Sequence, residues 1–205
     1  MKKIILTLTT IVALMFTSAT FANAATNNNE VTVLNNIGNI NKIEVRGNVE
    51  VIVSNGDKDQ VTVNNNYYAE SALVQDENGT LRISSYTKDK LVVAVSAKDL
   101  RSITVYDNSV VKSFGRFSAI EVEVNLFNNA IADMLLDSYN ANITVNDKAK
   151  AEIAGNVTNY SVAYNTTASV NRAELIAENV SEKQLPSKQV IPVAVQKADD
   201  LVIVE

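Results

Sequence analysis

The residues of this 205-residue chain that could do chemistry are bounded first by what is missing: it contains no histidine, no cysteine and no tryptophan. Imidazole-based triads, thiolate nucleophiles and zinc sites with histidine or cysteine ligands therefore cannot be assembled from it. Carboxylate chemistry remains. Paired acids stand at Glu121 and Glu123, at Asp133 and Asp137, and at Asp199 and Asp200. Two carboxylates on either side of a glycosidic bond could cleave a polysaccharide. Glu121 and Glu123, however, flank Val122 in an alternating run, which places both on the solvent side of a strand while Val122 faces the core. The pair reads as a solvated face. Asp57 and Asp59 flank Lys58 in an acidic loop, yet a calcium site takes six or more oxygen ligands and no run here has the spacing of a calcium repeat. No catalytic residue, cofactor or metal ligand is assigned.

Side chains suited to binding are easier to find. Tyr67 and Tyr68 follow an asparagine run, and tyrosine joins a flat apolar face to a polar tip, as stacking on a sugar ring requires. Tyr139 and Tyr160 are 21 residues apart and are expected one above the other on adjacent turns of a repeat. Asn108 and Asn129 occupy polar turns. These six, Tyr67, Tyr68, Asn108, Asn129, Tyr139 and Tyr160, are the candidate binding residues. The competing reading of the tyrosines is that they cover strands or pack at corners.

The elements that must position these groups follow a leader. Met1-Lys2-Lys3 is a basic head, Ile4 to Phe16 is apolar apart from threonines, and Ala22-Asn23-Ala24 places small residues where a signal peptidase reads. Residues 1–24 are expected to be a cleaved secretory signal. The apolar run is shorter than the roughly 20 residues that span a bilayer, so no stable membrane anchor is expected. Removing a leader with two basic residues and no acid leaves 16 basic against 23 acidic residues, a net charge of −7. A nucleic-acid partner, which needs a basic footprint, is excluded. Without cysteine, stability must come from apolar burial and backbone pairing.

Alternating runs rich in Val, Ile and Thr, such as Val49-Glu50-Val51-Ile52-Val53 and Leu81-Arg82-Ile83-Ser84, read as half-buried strands. Turns are marked by Gly38-Asn39, Gly47-Asn48, Asn55-Gly56 and Asn78-Gly79. No helical stripe is visible after the leader. From Leu100 to Ala177 a unit of strand, polar turn and strand recurs four times. Its small turn-closing residues Ser109, Ala130, Ala149 and Ala168 are spaced 21, 19 and 19 apart. A period near 20 fits coils that bury apolar side chains only against the coils above and below. The expected fold is therefore all-β, a right-handed parallel β-solenoid (three-sided β-helix) with an irregular N-terminal β portion. Val105, Val124, Val145 and Val162 are expected to stack inside it, and Asn108, Asn129, Lys148 and Thr167 along a turn. An antiparallel sandwich is the competing architecture. The expected organisation is a flexible lead-in over 25–36 and one domain over 37–205, with repeats at about 100–177 and C-terminal cap strands at 178–205.

The run Ile40-Asn41-Lys42-Ile43-Glu44-Val45-Arg46-Gly47-Asn48-Val49-Glu50-Val51-Ile52-Val53-Ser54-Asn55-Gly56-Asp57, with Asn78-Gly79-Thr80-Leu81-Arg82-Ile83, Leu91-Val92-Val93-Ala94-Val95 and Leu100-Arg101-Ser102-Ile103-Thr104-Val105, resembles the putative auto-transporter adhesin head GIN domain, a family of exported proteins of Bacteroidetes-type bacteria. The resemblance covers about Ile37 to Val180. It implies a three-sided β-solenoid and, through the family's name, adhesion. Members carry Gly-Ser-Gly at each repeat turn, whereas the turns here read Asp107-Asn108-Ser109, Asn128-Asn129-Ala130, Asp147-Lys148-Ala149 and Thr166-Thr167-Ala168. The expected function is an exported, non-catalytic, adhesin-like binding module, in the periplasm or at the cell surface, whose partner would be a cell-surface glycan or an envelope protein. A structural, self-associating envelope protein is the alternative, and a polysaccharide-degrading β-helix ranks last.

Overall fold

Alternation decides the strands. In Val49–Asn55 and Leu91–Ala97 every second side chain is buried, as a period-two pattern requires when one face packs on a core. The structure, a computed structural model, describes residues 31–34, 37–64 and 72–186. Among them the fold is all-β, one curled sheet of mixed direction with no helix. Eight short strands come first: β1 (Val31–Leu34), β2 (Lys42–Gly47), β3 (Val49–Asn55), β4 (Gln60–Asn64), β5 (Ala72–Glu77), β6 (Thr80–Ser85), β7 (Leu91–Ala97) and β8 (Ser102–Val105). Then come the long β9 (Val110–Leu126), β10 (Ile131–Val145) and β11 (Lys150–Tyr164), and finally β12 (Ser169–Asn171) and β13 (Leu175–Gln184).

The fourfold repeat is a stack of parallel strands. β9 pairs with β10, β10 with β11, and β11 with β12 and β13, all in parallel. Each polar turn is closed by a hydrogen bond from its fourth residue's N–H to its first residue's carbonyl, from Ser109 to Tyr106, Ala130 to Phe127, Ala149 to Asn146 and Ala168 to Asn165. Asp107, Asn128 and Asp147 take φ of 62°, 62° and 57°, a conformation that short polar side chains tolerate. Thr166 stays out of that region, since a β-branched side chain disfavours it. Asn165 holds this turn instead, its Oδ1 accepting the N–H groups of Thr167 and Ala168 at 3.2 and 2.9 Å.

The unequal spacing also has a physical cause. β10 and β11 keep a 19-residue offset from Ile131↔Lys150 to Val145↔Tyr164. In β9, Asp133 pairs with Lys112 but Leu135 with Arg116, so Ser113, Phe114 and Gly115 together oppose Met134. This bulge adds the two residues that make the first interval 21. The Ser113 hydroxyl oxygen accepts the Leu135 N–H at 2.9 Å and occupies a donor that the broken ladder would leave free. The bulge also corrects the expected single valine column. Val105, Val124, Val145 and Val162 are all buried, but in two columns, Ile103–Val124–Ile143–Val162 and Val105–Leu126–Val145–Tyr164. Val105 and Val124 are 19 apart where the coils are offset by 21.

The expected parallel β-solenoid with an irregular N-terminal portion is met only in part, because the sheet is of mixed direction with antiparallel pairs at its N-terminal end. β2 pairs in parallel with both β6 and β8, and β3 with both β7 and β9, so the coil made by β2 and β3 lies inside the stack. Outside β6 and β7 the strands are antiparallel, β5 on β6, β4 on β7 and β1 on β4. Asn78-Gly79 enforces the first of these as a two-residue hairpin, with φ of 51° and 76° at its two positions. β1 falls within the expected flexible lead-in and is instead a paired strand. The signal segment and most of the expected C-terminal cap lie outside the described residues. At the far end of the stack, Glu182 and Gln184 of β13 continue the columns of Val162 and Tyr164, and Arg172 forms an ion pair with Glu182. Among the described residues, polar groups thus stand at the end of these two apolar columns, as terminal repeats require.

Candidate functional site

Asn108 and Asn129 stand where the turn pattern puts them, one above the other. Asn129 Nδ2 donates to Asn108 Oδ1 at 3.1 Å, and beside them Asn128 Nδ2 donates to Asp107 Oδ1 at 2.9 Å. The two carboxylates of this row are also occupied. Asp107 accepts the Gly47 N–H at 3.0 Å and Asp147 accepts the Asn128 N–H at 2.9 Å. Arg46 lies 3.8 Å over the Tyr106 ring, which stacks on Phe127 at 5.0 Å. The turn row spends its polar groups on holding coils together. A second amide ladder, missed in the sequence reading, runs Asn140–Asn159–Asn179 with both bonds at 2.9 Å. Its signal was three asparagines at intervals of 19 and 20.

The tyrosines separate. Tyr67 and Tyr68 lie outside the described residues. Tyr139 is 58% exposed and Tyr160 only 1%, which corrects the expectation that they stack. Burial alternates along β10 until Tyr139 and Asn140, where it slips by one at a corner, so Tyr139 points out while Ala141, the register partner of Tyr160, points in. The Tyr160 hydroxyl has no hydrogen-bond partner among the described residues, and burial pushes its pKa from 10 up to about 12. An unfolded tyrosine ionises near pH 10. The folded state keeps its proton longer, so this contribution to stability is complete below pH 10 and is lost as pH rises toward 12. Tyr160→Phe should therefore lose about 2 kcal/mol less than the parent between pH 10 and 12, measured by urea unfolding at each pH.

One outward face differs from the rest. It lies between the β9 bulge and the Asn140 ladder and carries five exposed large apolar side chains, Phe114 (77% exposed), Ile120 (83%), Leu135, Tyr139 and Ile176. Successive coils supply its columns, as in Ser118–Asp137–Asn156–Ile176. A groove of roughly 840 Å³ crosses this face, lined among others by Asn55, Arg101, Ile120, Glu121, Asp137 and Tyr139. Asn55 is clamped to the neighbouring coil, donating to the Ser118 carbonyl at 2.8 Å and accepting the Ser118 N–H at 2.7 Å. Arg101 forms a double hydrogen bond to Asp99 at 2.9 and 2.6 Å and holds that carboxyl below its usual range. Arg116 stands 3.5 Å from Asp137.

The family model described as "Putative auto-transporter adhesin, head GIN domain" matches residues 39–185. The chain belongs to this family. Among solved structures the GIN-domain chain is similar to a putative adhesin of Parabacteroides distasonis ATCC 8503, at TM-score 0.54 and 17% identity over 76% of this chain and 78% of that one. It is equally similar in fold to a putative lipid binding protein of the same organism, at TM-score 0.54 and 16% identity over the same shares. No curated protein matches.

Of the three acidic pairs singled out in the sequence of this GIN domain, Asp199 and Asp200 lie outside the described residues. Glu121 and Glu123 are both exposed on either side of the buried Val122. Asp133 and Asp137 are four residues apart on one strand, about 13 Å at 3.3 Å per residue, wider than the roughly 5 to 10 Å that glycoside cleavage uses. Asp59 is a latch, accepting the N–H groups of Ile40 at 2.6 Å and Lys98 at 2.8 Å. Among the described residues no three acidic side chains converge as metal ligands.

Proposed function

We propose that this GIN-domain chain is an exported, non-catalytic, adhesin-type binding module of the bacterial envelope. In this reading the stacked parallel coils are a β-solenoid, blocked at its N-terminal end by antiparallel strands, and the face between the β9 bulge and the Asn140 ladder is the contact surface. The observation that carries it is that five of the nine exposed large apolar side chains among the described residues, Phe114, Ile120, Leu135, Tyr139 and Ile176, gather on one side of the stack. Exposed apolar groups gathered on a rigid scaffold mark interaction surfaces. The family's adhesin description and the leader-like N-terminus support export and adhesion. Residues 25–205, fluorescently labelled, should bind envelope fractions of the native cell, and Phe114→Ser with Ile176→Ser should weaken that binding. Fractionation of the same cells reports the compartment. Binding no greater than background, or unaffected by the double substitution, would sink the reading.

Self-association is a second reading, favoured by one observation. β13 pairs with β11 on one side and, among the described residues, with no strand on the other. Such an edge invites pairing between chains. Concentration-dependent growth in sedimentation velocity would support this, and a strict monomer would dismiss it.

A further inference from the structure

We propose that the groove through Tyr139 takes an uncharged polysaccharide chain laid along the stack axis; this rests on the binding-module reading above and names the ligand class. The lining mixes one exposed aromatic ring with an amide, two acidic strand positions, Glu121 and Asp137, and a guanidinium. A sugar presents the complementary pattern, with C–H faces that stack on an aromatic ring and a rim of hydroxyls that donate to carboxylates and accept from amide and guanidinium groups. A lipid chain laid here would desolvate Glu121, Asp137 and Arg101 without giving them partners.

Charge decides between neutral and acidic sugars. Asp99, Glu121 and Asp137 line the groove against Lys98 and Arg101, and Arg101 is already bound to Asp99. Arg116 stands 3.5 Å from Asp137, so three acids face three bases and the groove, in a chain of net charge −5, has no surplus cation to hold a uronate or sulfated polymer. Shape decides between a single sugar and a chain. The groove is open, and a second depression that shares Asp137 and Ser138 continues it toward Ile176 and Glu178. The floor crosses successive strands about 4.8 Å apart, so it runs as a trough from coil to coil, through Ser118, Asp137, Asn156 and Ile176 in turn, and does not end in a cavity for a single sugar. The site is also rigid before any ligand arrives. The Asn55 clamp and the Asn140–Asn159–Asn179 ladder fix its two margins, which keeps the ordering cost of binding small.

Affinity gel electrophoresis of residues 25–205 tests this with galactomannan, xyloglucan and mixed-linkage β-glucan as neutral probes. Polygalacturonate and phosphatidylcholine vesicles, the latter by co-sedimentation, are the acidic and lipid comparators. The expected result is retardation by at least one neutral polymer, weakened about tenfold or more by Tyr139→Ala and unchanged by Tyr86→Ala, an exposed tyrosine beside the Gly47 turn. Circular dichroism checks that both variants fold. No retardation by any neutral polymer, equal retardation of Tyr139→Ala, or binding only to polygalacturonate or vesicles would overturn the proposal. Envelope fractions separate this from the broader reading. Binding that periodate abolishes supports a glycan. Binding that survives periodate and is lost to protease overturns the glycan and leaves the adhesin-type module standing. No binding to untreated envelope removes both.

Discussion

Val124→Asp should unfold the protein. Val124 is fully buried in the column between Ile103 and Ile143, in register with both. Its neighbours in that column are aliphatic, so a carboxylate there would have neither water nor a cation. A carboxyl group in such a site costs several kcal/mol even when its pKa rises and it takes up a proton. A domain of this kind holds only about 5 to 15 kcal/mol in total, and a loss of about 4 kcal/mol or more leaves little native population. Loss of the β-type circular dichroism signal and rapid proteolysis are the expected readouts. Asn129→Ser is the matched contrast. It removes one exposed hydrogen bond between side-chain amides in the turn row and should change the unfolding free energy by no more than about 0.5 kcal/mol.

Gly155→Ala should cost nearly as much, for a different reason. Gly155 sits within β11 at φ 107°, a conformation that L side chains rarely adopt, directly opposite Leu136. A Cβ added there would meet the Leu136 carbonyl oxygen at 2.0 Å and the Leu136 nitrogen at 3.0 Å. Both are backbone atoms of a central strand and cannot swing away as a side chain would. Backbone strain and this clash together should cost about 3 kcal/mol. Thermal unfolding of the purified variant is the check; a midpoint equal to the parent's would mean that the coils can separate locally without loss.

These two sites also mark what could be read from the amino acids and what could not. Val124 was visible as core because alternation around Glu123 and Asn125 leaves a strand no other choice. The repeat and its polar turns were visible for the same reason, local pattern. Gly155 carries no local signal, since its role is set by Leu136, a residue 19 positions away that only register brings opposite. Tyr160 was misplaced because the corner at Tyr139 and Asn140 slips the alternation, and a corner is decided by how coils close rather than by residue type. The bulge at Ser113–Gly115 was hidden in the difference between 21 and 19. The groove was the least legible feature. Asn55 and Asp137 share it only because the coil of β3 stacks beside β9, a long-range choice that no window of sequence contains.

Placing β2 and β3 inside the stack has a consequence for how the molecule comes into being. Both neighbours of that coil come from residues 80–113, and Lys42 must find Ser102 sixty residues on. This is the slow step, because distant segments must meet before any bond rewards them. Once it is done, the remaining coils are added at separations of only 19 to 21 residues, each on an edge already formed. A chain delivered N-terminus first, from a ribosome or through a membrane pore, therefore assembles like a polymer growing from a seed. Its seed is complete once residue 113 has arrived, and its growing tip is the one that faces the chain still to come.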